Sequence, residues 1–123
     1  MNYTYLWARD IQQNIALKYR ARHQLTANIS LDLAGFELGS DFRYWSKIEQ
    51  MDFELVDLGL IKDGRIRVPV YVLDFRAGYN FSDLGFPARI YLNVNNALNY
   101  NYVELIGNIA PIRNFSLSTE FLF

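Results

Sequence analysis

The side chains in this sequence that are equipped for acid–base or metal chemistry are few and scattered. His23 is the only histidine, and the chain has no cysteine. There is therefore no thiolate for metal binding or nucleophilic attack, and any histidine-based catalysis would depend on His23 alone. A single histidine at the start of a strand is typical of a local hydrogen bond, so we interpret His23 as structural.

Three carboxylates come closest to forming a site. Asp32, Glu37 and Asp41 flank a predicted hairpin and could bind a cation. Glu37 and Asp41 could also be an acid–base pair, but nothing in the sequence provides the apolar pocket that would separate their pKa values. The sequence has no glycine-rich phosphate loop, metal-spaced pair or nucleophile elbow. We interpret the carboxylates as part of a hydrated surface and expect no enzymatic activity, cofactor or bound metal.

The composition describes a folded chain of one modest domain. The chain has 123 residues, of which 51% are hydrophobic and 16% aromatic, and this argues against disorder. Its formal net charge of -1 leaves no basic excess to neutralise phosphates, so nucleic acid is not an expected partner. No apolar run approaches the ~18 residues that a transmembrane helix needs.

The hydrophobic pattern that must position these side chains has a period of two. From His23 to Leu33 every odd residue after the histidine is apolar and every even residue is polar. Ala34 and Gly35 then form a two-residue turn, and residues 36–45 alternate with the opposite parity. If Leu33 faces Phe36 across the turn, the apolar residues of both strands share one face. The sequence therefore predicts a β-hairpin.

The rest of the chain predicts an all-β, antiparallel up-and-down meander of about six strands. Residues 70–81, 88–95 and 113–123 alternate in the same way, and residues 2–7 suggest a sixth, shorter strand. Short connections alternate with long ones, which is typical of a meander with its long loops at one end. The short connections are 34–35 and 82–87, and the long ones are 10–22, 47–69 and 97–112.

Almost all strand charges fall on one face of the predicted sheet. These are Asp32, Glu37, Asp41, Arg43, Asp74, Arg76, Arg89 and Glu120. The apolar rows have about the length that a tilted transmembrane strand of ~9–11 residues needs, and aromatic residues lie near their ends. Both features favour an apolar face in contact with lipid. A small soluble β-barrel or sandwich that binds an apolar ligand has the same period and is the alternative.

The C-terminal part of the sequence resembles the closing strands of TonB-dependent outer-membrane receptors. The resemblance lies in the order and spacing of several short motifs, which extend from Tyr19 to the end of the chain. They are residues 19–25, 74–79 and 88–99, Tyr102, and Pro111-Ile112-Arg113 leading to a terminal Phe123. The sequence departs from the family pattern at Ala21, Ala97 and Ile112.

This resemblance implies that residues 1–123 are an incomplete domain, the C-terminal segment of a large transmembrane β-barrel in the bacterial outer membrane. The intact receptor would take up a scarce ligand such as an iron chelate, vitamin or glycan. Its expected partners are outer-membrane lipid, the rest of the barrel, a plug domain, the TonB complex through a missing N-terminal part, and the barrel-assembly machinery.

The resemblance also assigns roles to single residues. Ten residues would face lipid: Leu25, Ile29, Leu31, Phe42, Leu73, Phe75, Ile90, Leu92, Leu117 and Phe121. Six would face the lumen or plug: Asp41, Arg43, Asp74, Arg76, Arg89 and Glu120. Leu117, Phe121 and Phe123 would carry the assembly signal, and loops 47–69 and 97–112 would be extracellular.

Overall fold

The protein is an antiparallel β-meander, seen here in a computed structural model that describes residues 1–49, 57–58, 68–105 and 108–121. Six strands form one sheet in the order β1-β2-β3-β4-β5-β8, and β6 pairs with β7 in a separate two-stranded sheet. The predicted all-β meander is confirmed. The strands are β1 (Asn2–Tyr5), β2 (His23–Leu33), β3 (Phe36–Trp45), β4 (Val70–Asn80), β5 (Ala88–Asn95), β6 (Val103–Leu105), β7 (Asn108–Ile109) and β8 (Asn114–Phe121).

The hairpin of β2 and β3 has the predicted register. Leu33 lies opposite Phe36. Between them, Ala34 and Gly35 have φ angles of 49° and 82°, and two successive positive φ angles are what a two-residue type I′ turn requires. A Cβ atom at Gly35 would come within 3.1 Å of the Asn80 carbonyl oxygen. Glycine therefore fits this position for both conformation and space.

Two connections contain structure that alternation did not predict. β4 ends at Asn80, whose side chain accepts a hydrogen bond from the Ser82 N–H at 3.0 Å. This begins a short 3-10 helix, Phe81–Leu84, that ends at Gly85 with a φ of 79°. The second case is the predicted loop 97–112, which contains the hairpin of β6 and β7. Most of loop 47–69 lies outside the described residues.

The register divides the sheet into one apolar and one polar face. Residues directly opposite each other in antiparallel strands point to the same side. One such row crosses five strands and contains Ile29, Ser40, Phe75, Val94 and Phe115. All ten residues predicted to face lipid lie on this face, which we call the apolar face.

The apolar face is open along much of its length. Ile29, Phe115 and Leu117 are 71%, 68% and 67% exposed. Within the described residues, no second layer packs against this face. β1 and β8 also end the sheet order without pairing with each other. The alternative architecture, a small closed barrel or sandwich, is therefore not the arrangement of the described part of the chain.

Most of the buried side chains among the described residues lie on the opposite, polar face, at the long-loop end of the sheet, whereas the buried Ala88 is on the apolar face. Val72, Tyr102 and Ala110 form a small buried cluster, against which Trp45 and Tyr100 pack. The alternation assigned Val72 to the polar face correctly. It did not predict that the chain after β5 folds back and covers this valine.

Candidate functional site

The register brings the six residues predicted to face a lumen onto the polar face. Asp41 lies opposite Asp74 on the neighbouring strand. Arg76 lies opposite Asn93, and Arg89 lies opposite Glu120. The six are spread along the face rather than collected in one pocket, so the polar face as a whole is the candidate site.

Asp74 joins the sheet to the chain that follows β5. Its Oδ2 accepts a hydrogen bond from Arg43 Nη2 at 2.8 Å in an ion pair. Its Oδ1 accepts a second hydrogen bond, at 2.7 Å, from the backbone N–H of Asn96. Both side chains of the ion pair are partly buried, which shields their interaction from solvent. Asp74 is therefore a structural anchor on the polar face.

Asn96 organises the turn and the loop beyond it. It is buried and has a φ of 51°, a conformation that asparagine tolerates better than most residues. Its Nδ2 donates to the carbonyl oxygens of Tyr100, at 2.9 Å, and Pro111, at 3.1 Å. Its Oδ1 accepts from the Tyr100 N–H at 2.9 Å. The side chain thus uses nearly all of its hydrogen-bonding capacity inside the protein.

We call residues 96–105 and 108–113 the loop cap, because they fold over the end of the polar face. The Tyr100 hydroxyl donates to the Pro69 carbonyl at 2.7 Å, and the Ala97 N–H donates to the Leu73 carbonyl at 2.7 Å. The Tyr102 ring lies 6.0 Å from the Trp45 ring. These contacts hold the loop cap against β3 and β4.

An open concavity of about 440 Å³ lies between the polar face and the loop cap. Its walls offer amide groups, one phenol and the Arg43–Asp74 ion pair. Such a surface can hold water or contact another hydrated polar surface. In the described part of the chain no three His, Cys, Asp or Glu residues come together as a metal site would require. The lining residues are Arg43, Asp74, Asn95, Asn96, Tyr102, Pro111 and Asn114.

Side-chain hydrogen bonds continue across the polar face from β4 to β8. Arg76 Nε donates to Asn93 Oδ1 at 3.2 Å, and Asn93 Nδ2 donates to Ser116 Oγ at 3.3 Å. A parallel bond joins Asn95 Nδ2 to Asn114 Oδ1 at 2.9 Å. Hydrogen bonds between polar side chains therefore link neighbouring strands on this face, as expected for a surface in contact with water.

Glu37 and Asp41, the carboxylates considered for acid–base chemistry, have structural partners. The Tyr91 hydroxyl donates to Glu37 Oε2 at 3.1 Å, and Asn28 Nδ2 donates to Asp41 Oδ1. The Tyr91 ring lies directly over Gly78, where a Cβ atom would be 2.5 Å from the ring. Glycine at this position leaves room for the ring that reaches Glu37.

Arg89, on the polar face, has a buried side-chain nitrogen, Nε, without a hydrogen-bond partner among the described residues. It lies on β5 near the short-connection end, opposite Glu120. An unpaired buried donor costs about 1–3 kcal/mol. An additional hydrogen-bond acceptor next to Arg89 would therefore stabilise this part of the face.

His23 makes the kind of local contact expected of it. Its Nδ1 lies 2.7 Å from the Tyr3 hydroxyl, and its ring packs 5.2 Å from the Tyr5 ring. Two residues of the predicted assembly signal, Leu117 and Phe121, lie exposed on the apolar face. The third, Phe123, lies outside the described residues.

Comparison with known proteins adds no assignment to this geometry. No protein-family model matches the chain, and no curated protein matches it. Within the described residues, no helix has the length and apolar character required to cross a membrane. The exposed apolar face and the hydrogen-bonded polar face are therefore the observations on which a function can be based.

Proposed function

We propose that this chain forms the C-terminal strands of the β-barrel of a TonB-dependent outer-membrane receptor, with its apolar face toward lipid. The exposed apolar face of the six-stranded sheet is the observation that carries the proposal. It is continuous across all six strands, and no charged residue interrupts its rows.

The energetic cost of leaving this face in water supports a lipid contact. Burial of a large apolar side chain is worth about 1.5–3 kcal/mol. The exposed apolar side chains include Ile29, Phe75 and Leu117. Contiguous patches of this kind mark surfaces that meet a membrane or another protein. Aromatic pairs near the strand ends, such as Tyr44 with Tyr71 and Phe36 with Tyr79, suit the two interfaces of a bilayer.

The polar face suits a water-filled lumen or contact with a plug domain. Its charges are of both signs, and many of its side chains bond laterally to the next strand. In this proposal Asp41, Arg43, Asp74, Arg76, Arg89 and Glu120 line the lumen. The loop cap would then lie at the extracellular end, where a receptor of this kind selects its ligand.

The two edges of the sheet indicate that a barrel requires further strands. β1 and β8 each present backbone groups that pair with no other strand of this sheet, and such groups must be satisfied inside a bilayer. The proposal therefore includes the rest of the barrel and a plug domain as partners. It also includes the barrel-assembly machinery as a reader of Leu117, Phe121 and Phe123, and the TonB complex as the energy source.

A charge on the apolar face tests the proposal. In Phe75→Arg, the guanidinium would enter the hydrocarbon region at a cost of about 2–4 kcal/mol. We expect a corresponding loss in the binding of the full chain to phosphatidylcholine vesicles, measured by flotation. Ser116→Arg is the matched control, because it adds the same charge to the polar face and should bind as the unchanged chain does. Equal loss in both variants would contradict the proposed orientation.

A further inference from the structure

A cluster of basic side chains surrounds an exposed tryptophan at the long-loop end of β1 and β2. Trp7 is 55% exposed. The guanidinium carbons of Arg22 and Arg9 lie 4.5 Å and 4.9 Å from the centroid of its ring. Trp7, Arg9, Arg20 and Arg22 line one small recess together with the anion Glu49, and we call the first four residues the basic rim.

The basic rim continues the apolar face. The Trp7 ring stacks on Tyr5 with 6.3 Å between centroids. Tyr5 lies opposite His23, and Tyr3 lies opposite Leu25, on the row that leads into the apolar face. Aromatic rings followed by long cationic side chains are the usual arrangement at the boundary between hydrocarbon and headgroups.

The local charge of this segment is opposite in sign to that of the whole chain. Residues 6–22 contain four cations, Arg9, Lys18, Arg20 and Arg22, against the single anion Asp10, whereas the chain has a formal net charge of -1. Arg22 is paired with Glu49 at 2.5 Å. Arg9 contacts the neutral Asn14 at 2.7 Å, and both Arg9 and Arg20 are exposed. The basic rim therefore presents cationic groups to whatever lies at its surface.

We propose that the basic rim binds the phosphate groups of anionic lipid headgroups. Guanidinium groups match phosphate oxygens through paired N–H donors, and the Trp7 ring holds two of them at the level of the interface. The recess has a volume of only about 10 Å³, too small to enclose a free phosphate group, which fits a headgroup presented at its rim by a bilayer better. This inference rests on the proposed function, because only a lipid-facing sheet brings the rim to headgroups.

The fluorescence of Trp7 can report the binding of vesicles to the basic rim. The chain has two tryptophans, so Trp45→Phe leaves Trp7 as the only one. The full chain in this background is titrated with vesicles of phosphatidylcholine alone and with vesicles that also contain phosphatidylglycerol. We expect tighter binding to the second kind, and a preference that decreases as salt is added. Arg9→Gln and Arg20→Gln should each lower this preference by about fivefold.

A matched variant and a soluble competitor separate the outcomes. Arg76→Gln removes the same charge from the middle of the polar face and should keep the preference for anionic vesicles. Equal affinity for both vesicle types would overturn the headgroup site while leaving the lipid-facing sheet intact. Failure to bind either type would overturn the proposed function as well. If soluble glycerol phosphate shifted Trp7 emission as strongly as the vesicles do, the ligand would be free phosphate and the lipid assignment would be wrong.

Discussion

Asn96 shows how one polar residue can organise a loop over a β-sheet. Its backbone adopts a positive φ, its N–H donates to Asp74, and its side chain bonds to Tyr100 and Pro111. Alternation could not predict this role, because the partners come from a loop whose path depends on tertiary packing. The asparagines at positions 93, 95, 96, 99 and 101 were the available signal, since asparagine favours turns with positive φ.

Substitution of Asn96 should release the loop cap while leaving the sheet formed. Asn96→Ala removes three side-chain hydrogen bonds, each worth about 0.5–1.5 kcal/mol. It also places alanine at a φ that costs about 1 kcal/mol. We expect a red shift in the emission of Trp45, which contacts Tyr102 of the cap, with little change in circular dichroism. Trp7→Phe provides a background in which Trp45 is the only reporter.

Asn96→Gly separates the two contributions, because glycine accepts the positive φ but makes no side-chain hydrogen bonds. We expect an emission shift between those of the unchanged chain and Asn96→Ala. If the alanine variant left Trp45 emission unchanged, Asn96 would not hold the cap.

At the scale of elements, local signals predict the strands well and the connections poorly. The bounds of β2, β3 and β5 follow from alternation and from the Ala34–Gly35 turn, which are properties of neighbouring residues. The hairpin of β6 and β7 was not predicted, because its residues show no clear alternation. Tyr102 and Ala110, which flank this hairpin, bury Val72 of β4, and such packing depends on tertiary structure. The 3-10 helix was missed because a side chain, Asn80, stops the strand one residue earlier than the apolar pattern does.

The turn between β2 and β3 should respond to substitution at both of its positions. Ala34 has a positive φ, which asparagine adopts at a lower energetic cost than alanine does. Ala34→Asn should therefore stabilise the protein by about 0.5–1 kcal/mol. Gly35→Ala should destabilise it by about 1–3 kcal/mol, because the φ is unfavourable and the new Cβ would meet the Asn80 carbonyl. Urea unfolding in detergent micelles measures both effects. A stabilised Gly35→Ala variant would show that the turn is not of type I′.

At the scale of the whole molecule, a single sheet with one apolar and one polar face cannot be stable alone in water. The sequence pattern predicted both faces and the residues on each. It could not predict what covers the apolar face, because lipid and a second protein layer select the same alternation. The described residues supply no such layer, and we propose lipid as the covering.

Site-directed labelling of β8 tests that proposal most directly. The chain has no cysteine, so single cysteines can be introduced at positions 115–121 and labelled with a fluorophore. Every one of these positions is exposed, which makes them equally accessible to labelling. In vesicles that contain nitroxide-labelled lipids, we expect strong quenching at residues 115, 117, 119 and 121 and weak quenching at 116, 118 and 120. Uniform quenching along the strand, or stronger quenching at the even positions, would contradict a lipid-facing apolar sheet.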